Sequence, residues 1–227
     1  MKLIKPMMAV AAFGLALGMM AANAQQIVTT TDTFGSGMNT STIDFVTVGN
    51  PGNGNDGSGY GGVPYTYRIS TYEISQNDIT TATATVDGLT NVTAGAHSGD
   101  RPAANISWYE AAAFVNWLNT SNGHQAAYDL AFTISWSMTL WSSADAWQLG
   151  GENLYRHKDA YYFLPSEDEW YKAAYHQNDG VTANYWDYAT GSNTAPTPVA
   201  SGTASGTAVY LQEISAAPAD VSPRRAA

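Results

Sequence analysis

Three adjacent acids, four histidines and a complete lack of cysteine bound the chemistry open to this 227-residue chain. Glu167, Asp168 and Glu169 invite an acid–base reading, because general acid catalysis and glycoside hydrolysis both need closely placed carboxyl groups. Their setting offers a simpler one. Ser166 precedes them and Trp170 follows, so the three acids fall in a first helical turn, where they complement the helix dipole and complete a cap. His97, His124, His157 and His176 form neither His-x-His nor His-Glu-x-x-His, so their spacing specifies no zinc or copper set. No Gly-x-Ser-x-Gly elbow presents a serine nucleophile. With no Cys, disulfides, thiolate-bound zinc, iron–sulfur clusters and thiol nucleophiles are all removed. Arg156-His157-Lys158-Asp159 reads as a solvated turn before a strand.

Two further segments carry candidate ligand groups. Asn50 to Gly62 is dense in Gly and Asn, which supply positive-φ turns. Its Asn53, Asn55 and Asp56 are candidate oxygen ligands for calcium, but the Glu that closes an EF-hand loop is missing, and a hairpin loop is the simpler reading. No Gly-Lys-Ser/Thr follows, so the glycines do not make a phosphate loop. Trp136, Trp141 and Trp147 could stack on sugars as a carbohydrate-binding surface, or fill the core of a loop-rich domain.

The elements that must position these groups read as follows. Ser107 to Glu110 and Ser166 to Glu169 are capping boxes, each opening a helix. The first runs to Asn122-Gly123 with Trp108, Ala111, Ala112, Val115 and Leu118 on one face. The second runs to about His176 with Trp170, Ala173 and Ala174 facing inward. Ile43–Val48, Val63–Ile74 and Tyr161–Leu164 read as strands, as does the alternation of Ile134, Trp136 and Met138. Thr80 to Thr93 favours strand or extended loop. Scattered short strands with two helices indicate an α+β fold.

Composition narrows the partners. The net charge is -10 and charged residues make up 12%, which argues against nucleic acid, since phosphate binding needs a basic surface. Hydrophobic residues at 44%, with 7 Trp and 14 Tyr, suffice for a core. Lys2 and Lys5, an apolar run from Met7 to about Ala22, and Ala22-Asn23-Ala24 have the pattern of a cleaved signal peptide. That run is shorter than the ~20 residues a membrane span needs. An exported protein without a transmembrane segment is expected, secreted, periplasmic or at the cell surface.

Several segments resemble the formylglycine-generating enzyme, or sulfatase-modifying factor, family. They are Tyr72-Glu73-Ile74-Ser75, then Arg101-Pro102 with Ser107-Trp108-Tyr109-Glu110-Ala111 and Ala113 to Trp117-Leu118, and then Phe163-Leu164-Pro165-Ser166-Glu167-Asp168-Glu169-Trp170. Val48 to Asn53 and Tyr185 to Tyr188 are similar to exported bacterial members. The resemblance implies a C-type-lectin-like α+β fold, irregular and rich in loops. It also implies an oxidase that converts Cys or Ser of sulfatases to formylglycine, the oxygen-dependent members through a copper-binding Cys pair, with calcium supporting the fold. Here the Cys pair is absent, so copper and every catalytic residue drop out. A non-catalytic role binding a protein or glycan ligand is then expected, with a formylglycine-generating-type oxidoreductase fragment as the alternative. The outline is a signal peptide at 1–24, a flexible lead-in at 25–42, the family-like domain at 43–197 and a low-complexity or out-of-frame tail at 198–227. The family's later Gly-Asn-Val-Trp-Glu-Trp and Arg-Gly-Gly-Ser-Trp segments are not found, so the domain is expected to be truncated and incomplete at its C-terminus, the reading frame having changed or stopped early near Pro218 to Val221.

Overall fold

The computed structural model describes residues 29–85, 89–92, 95, 98–199 and 204–208. The signal-peptide segment, His97 and the end of the tail lie outside the described residues. The chain opens with a β-hairpin, β1 (Thr29–Ser36) and β2 (Asn39–Val48), and β3 (Tyr67–Ser70) pairs antiparallel on the far side of β2. The expected flexible lead-in is therefore a strand from Thr29. Its Thr-rich run hides one anchor: Phe34 is 0% exposed while its strand neighbours stay partly wet. A hairpin needs one apolar face only, and a single aromatic supplies much of it. The long strand expected over Val63–Ile74 shortens to β3. Residues 49–66 form the connection that returns the chain beside β2, as a hairpin loop would.

Helix α1 (Gln76–Ala84) stands where a strand or extended loop was expected. Ser75 caps it, with Asp78 as the reciprocal partner, so a short acid completes the capping box in place of Glu. Ile79 and Ala82 point into the core. Helix α2 (Trp108–Ser121) begins on Ser107 and Glu110 as expected, and Asn122 caps its C-terminus. Ala112, Val115 and Leu118 are buried as read, and so are Phe114, Trp117 and Asn119. Trp108 is not in the core: at 46% exposure it packs edge-on against Tyr109 and Tyr128 at the helix mouth.

Two small hairpins follow, β4 (Asp129–Phe132) with β5 (Trp136–Thr139), and β6 (Ala146–Trp147) with β7 (Asn153–His157). Helix α3 (Glu167–Tyr175) comes next, and a short parallel pair, β8 (Thr197–Pro198) with β9 (Thr207–Ala208), closes the described chain. The core joins α1 and α2 to the β1–β2 sheet. Phe34 lies edge-on to Tyr162 with centroids 5.0 Å apart, and Trp117 stands 6.3 Å from Phe34.

Tyr161–Leu164 does not form a strand. Its neighbour is a side chain: the Asn119 carboxamide Oδ1 accepts from Tyr161 N (2.7 Å) and Tyr162 N (3.0 Å), and Nδ2 donates to Tyr162 O (2.9 Å) and Val115 O (3.0 Å). One fully buried amide thus satisfies the main chain that a ladder would otherwise have to satisfy. Few helices and small sheets make this an α+β arrangement.

Candidate functional site

The third helix carries a polar inward face. Trp170 is 52% exposed and Ala173 lies outside, contrary to the apolar reading, while Glu169, Lys172 and His176 are buried. Residues at this i, i+3, i+7 spacing share one helix face, and each of the three has a structural partner that explains its burial.

Glu169 meets Arg156 from β7. The guanidinium donates from Nη1 to Oε1 (3.0 Å) and from Nη2 to Oε2 (2.7 Å), a bidentate pair with both side chains nearly closed to water. Nη2 also donates to Leu164 O at 2.7 Å, and the guanidinium carbon sits 5.1 Å over the Phe163 ring. Arg156 is therefore not in a solvated turn. Its flanking Tyr155 and His157 alternate outward along β7, and it turns inward to the acid. Tyr65 Oη donates to Oε1 (2.7 Å) and Ser166 N to Oε2 (2.6 Å). Burial alone would raise the Glu169 carboxyl, but Arg156 and these donors hold it below the usual range. Burial and the Glu169 charge push the Tyr65 phenol up to about 12. A carboxylate with each oxygen doubly bonded has no free site for a substrate proton. The most buried acid of the chain's acidic cluster is thus a structural group.

Above this pair lies a cleft of about 610 Å³, between the β2–β3 connection, the β6–β7 hairpin and the start of α3. Tyr65, Trp147 and Tyr155 supply aromatic wall, and Glu152 and Asp168 supply carboxylates. Trp147 is fixed by edge contacts to Tyr65 (6.0 Å) and Phe163 (5.0 Å), and its Nε1 donates to Leu149 O at 2.9 Å. The other two indoles lie elsewhere. Trp136 packs on Phe132 in the β4–β5 hairpin, and Trp141 rests on His157 with its Nε1 donating to Ala127 O. The three do not line one sugar platform.

The Asn/Gly loop is fastened onto α3. Asn53 is buried; its Nδ2 donates to Gly61 O (2.8 Å) and Tyr185 Oη (2.7 Å), and its Oδ1 accepts from Val63 N (3.2 Å). Asn55 Oδ1 accepts from Gly62 N (2.6 Å). Asp56 Oδ1 accepts from Ser58 N (2.7 Å) and Oδ2 from Tyr171 Oη. Hydrogen bonds from Ser58 and Tyr171 bring the Asp56 carboxyl down to about 2. Gly61 holds φ +94°, and a Cβ there would lie 2.4 Å from Tyr185 Oη, so only glycine fits. The three candidate calcium ligands each turn their oxygens to N–H or O–H donors of the loop and α3. They do not converge as the six to eight oxygens of a calcium cage must. Among the described residues, no group of three or more His, Asp or Glu stands together as a metal set. Calcium does not fit this loop, and copper has no thiolate pair to bind.

The remaining motif residues fall into helix caps, core and exposed helix entries. Ser107 and Glu110 cap α2, Ser166 caps α3, Trp117 is core, and Glu73 and Pro165 are exposed at the entries to α1 and α3. His124 stacks on Tyr161, His157 lies against Trp141, and His176 Nδ1 accepts from Asn178 N at 3.0 Å. The described histidines are thus spent separately.

The model of the sulfatase-modifying factor enzyme 1-like domain matches residues 45–219. The chain belongs to the sulfatase-modifying factor family. No curated protein and no solved structure is a significant match. The family match begins inside β2, so β1 of this sulfatase-modifying factor domain precedes it. No helix among the described residues is long and apolar enough to cross a membrane.

Arg156, Tyr65, Asn119 and Lys172 carry the site and its frame, and none was legible as such. The only available signal was scarcity, since the whole chain holds just 9 Lys and Arg and a rare cation beside apolar residues is more often tied down.

Lys172 gives a test by pH. The residue is 1% exposed, its ammonium donates to Asn50 O at 2.9 Å, and burial brings it down to about 8. A cation depressed on folding is a penalty in full below its folded value and relieved above its unfolded value. Stability is therefore expected to rise between about pH 8 and 10, by roughly 2–3 kcal/mol at full relief. Above pH 10 the trend reverses, because burial raises the phenols of Tyr65, Tyr67 and Tyr162 above the unfolded value. Urea midpoints measured from pH 7 to 10 should climb in the wild type and stay flat in Lys172→Met.

Proposed function

We propose that this chain is an exported, non-catalytic binding domain of the sulfatase-modifying factor family. It is built on a C-type-lectin-like version of the α+β fold, and the cleft over Arg156 and Glu169 is its ligand site. The saturated Glu169 carboxylate carries the reading: the buried charged group beneath the cleft is committed to the fold, leaving aromatic walls and surface carboxylates for recognition. The lack of any Cys supports a non-catalytic role, because the family's oxidation works through a thiolate pair. The basic, apolar and small-residue order of residues 2–24 supports export.

The test has two arms. The purified protein, given copper, oxygen and a Cys peptide from a sulfatase, should yield no aldehyde above the protein-free blank. Aldehyde formation would overturn the non-catalytic role. Signal-sequence processing after Ala24, read by intact mass of protein from an exporting host, should remove residues 1–24, and an unprocessed cytoplasmic product would overturn export.

A further inference from the structure

The cleft also has a chemical preference, and the argument for it rests on reading that cleft as the ligand site. Its hydrogen-bond groups are unevenly spent. On the donor side, Trp147 Nε1 is given to Leu149 O, Tyr65 Oη to Glu169, and both terminal nitrogens of Arg156 to Glu169, with Nη2 also serving Leu164 O. On the acceptor side, Glu152 is exposed and has no hydrogen bond or ion pair among the described residues, and Asp168 spends Oδ1 alone, on Gly61 N at 2.9 Å. Asn153 keeps its amide N–H groups, its Oδ1 accepting from Tyr155 N. The indole, Tyr65 and guanidinium donors are spent inward, Asn153 and Tyr155 keep neutral donors in the lining, and the charge left unneutralised at the rim is carboxylate.

A sugar hydroxyl is neutral and gains no more than a hydrogen bond from the unneutralised carboxylates. An ammonium or guanidinium group only donates, and it also gains from aromatic faces, which attract cations through the ring quadrupole. The cation among the lining residues, Arg156, is neutralised by a bidentate partner. The nearby field is therefore set by Glu152 and Asp168 in a chain of net charge -10, and low-dielectric walls focus such a field. Leu140, Leu149 and Tyr155 stand exposed around the opening at 47%, 55% and 52%, an apolar collar for a hydrocarbon stem.

We infer that the cleft binds an organic cation carried on an apolar stem, an alkylammonium or alkylguanidinium group, either as a free amine or as a basic side chain of a peptide. Isothermal titration of the purified protein would compare n-butylammonium and n-butylguanidinium with n-butanol as the neutral match. A short lysine- or arginine-containing peptide and a neutral disaccharide complete the set. Binding of the cations at least tenfold tighter than butanol is expected, weakening as salt is raised from 20 to 300 mM. Glu152→Gln, an exposed substitution that leaves the fold intact, should weaken cation binding about three- to tenfold and leave butanol unchanged. A peptide binding tighter than the free amines identifies the side chain as the source, and the reverse identifies the amine; both uphold the cation. Disaccharide or butanol binding at least as tight as the cations, or cation binding indifferent to Glu152→Gln, overturns the cation and leaves the cleft a ligand site. No binding by any probe overturns both.

Discussion

Glu169→Ala is expected to destabilise the protein by about 3–5 kcal/mol, a large share of the ~5–15 kcal/mol that holds a typical domain folded. Most of that loss is not the value of the ion pair. It is the cost of leaving the Arg156 guanidinium buried beside Phe163 with no countercharge, together with an unpaired Tyr65 hydroxyl and a half-dismantled cap at Ser166. The double variant Arg156→Met with Glu169→Leu should therefore recover much of the loss, because an apolar pair of similar volume removes the desolvation cost as well. Denaturant midpoints of the three proteins decide it. If the double variant is as unstable as Glu169→Ala, the burial cost is not what drives the effect. The acid limb follows the same logic. A carboxyl depressed on folding contributes stability above its unfolded value near pH 4.5 and loses it as pH falls through the folded one. Wild type should thus lose stability below about pH 4.5 more steeply than the double variant.

Asn119→Ala should cost roughly 2–5 kcal/mol, at 1–3 kcal/mol for each buried main-chain group left without a partner. The Asn119 amide serves four main-chain groups from 0% exposure, but Tyr161 N is only part-buried and Val115 O keeps its helical partner, so about two, on Tyr162, are left without one. Loss of the side chain frees the Tyr161–Tyr162 main chain, and with it the Tyr162 ring that packs edge-on against Phe34. The readout that separates this from a simple cavity is local. Amide exchange at Tyr161 and Tyr162 should accelerate more than at the α2 core amides. Equal acceleration everywhere would mean the amide matters only through global stability.

These two residues also show which parts of the molecule the sequence could disclose. Helices α2 and α3 were legible because Ser107 with Glu110 and Ser166 with Glu169 announce their starts in local chemistry. Helix α1 uses the same device with Asp78, but its threonines carry low helix propensity and masked it. The inward face of α3 was misassigned because periodicity places large apolar residues inside, whereas here Glu169, Lys172 and His176 are buried on partners 13, 122 and 2 positions away. Such partners leave no trace in spacing. The Tyr161–Leu164 strand failed for a related reason. Its pattern was strand-like, but pairing is a tertiary fact, and the partner proved to be one amide on α2. Of the cleft, Asp168 and Trp147 were visible as residue types, while the wall that joins them depended on the β6–β7 hairpin closing over the β2–β3 connection.

The strand that precedes the family match has a practical corollary for anyone cutting the gene. Expression boundaries drawn at residue 45 would sever β2 six positions after it begins and discard β1 altogether. Phe34 would go with it, baring the faces of Trp117 and Tyr162 and leaving the remnant of β2 with an open edge. Such a fragment is an aggregation template rather than a minimal domain. The unit of inheritance, as sequence profiles outline it, is shorter than the unit of folding, and a soluble product should start no later than Thr29.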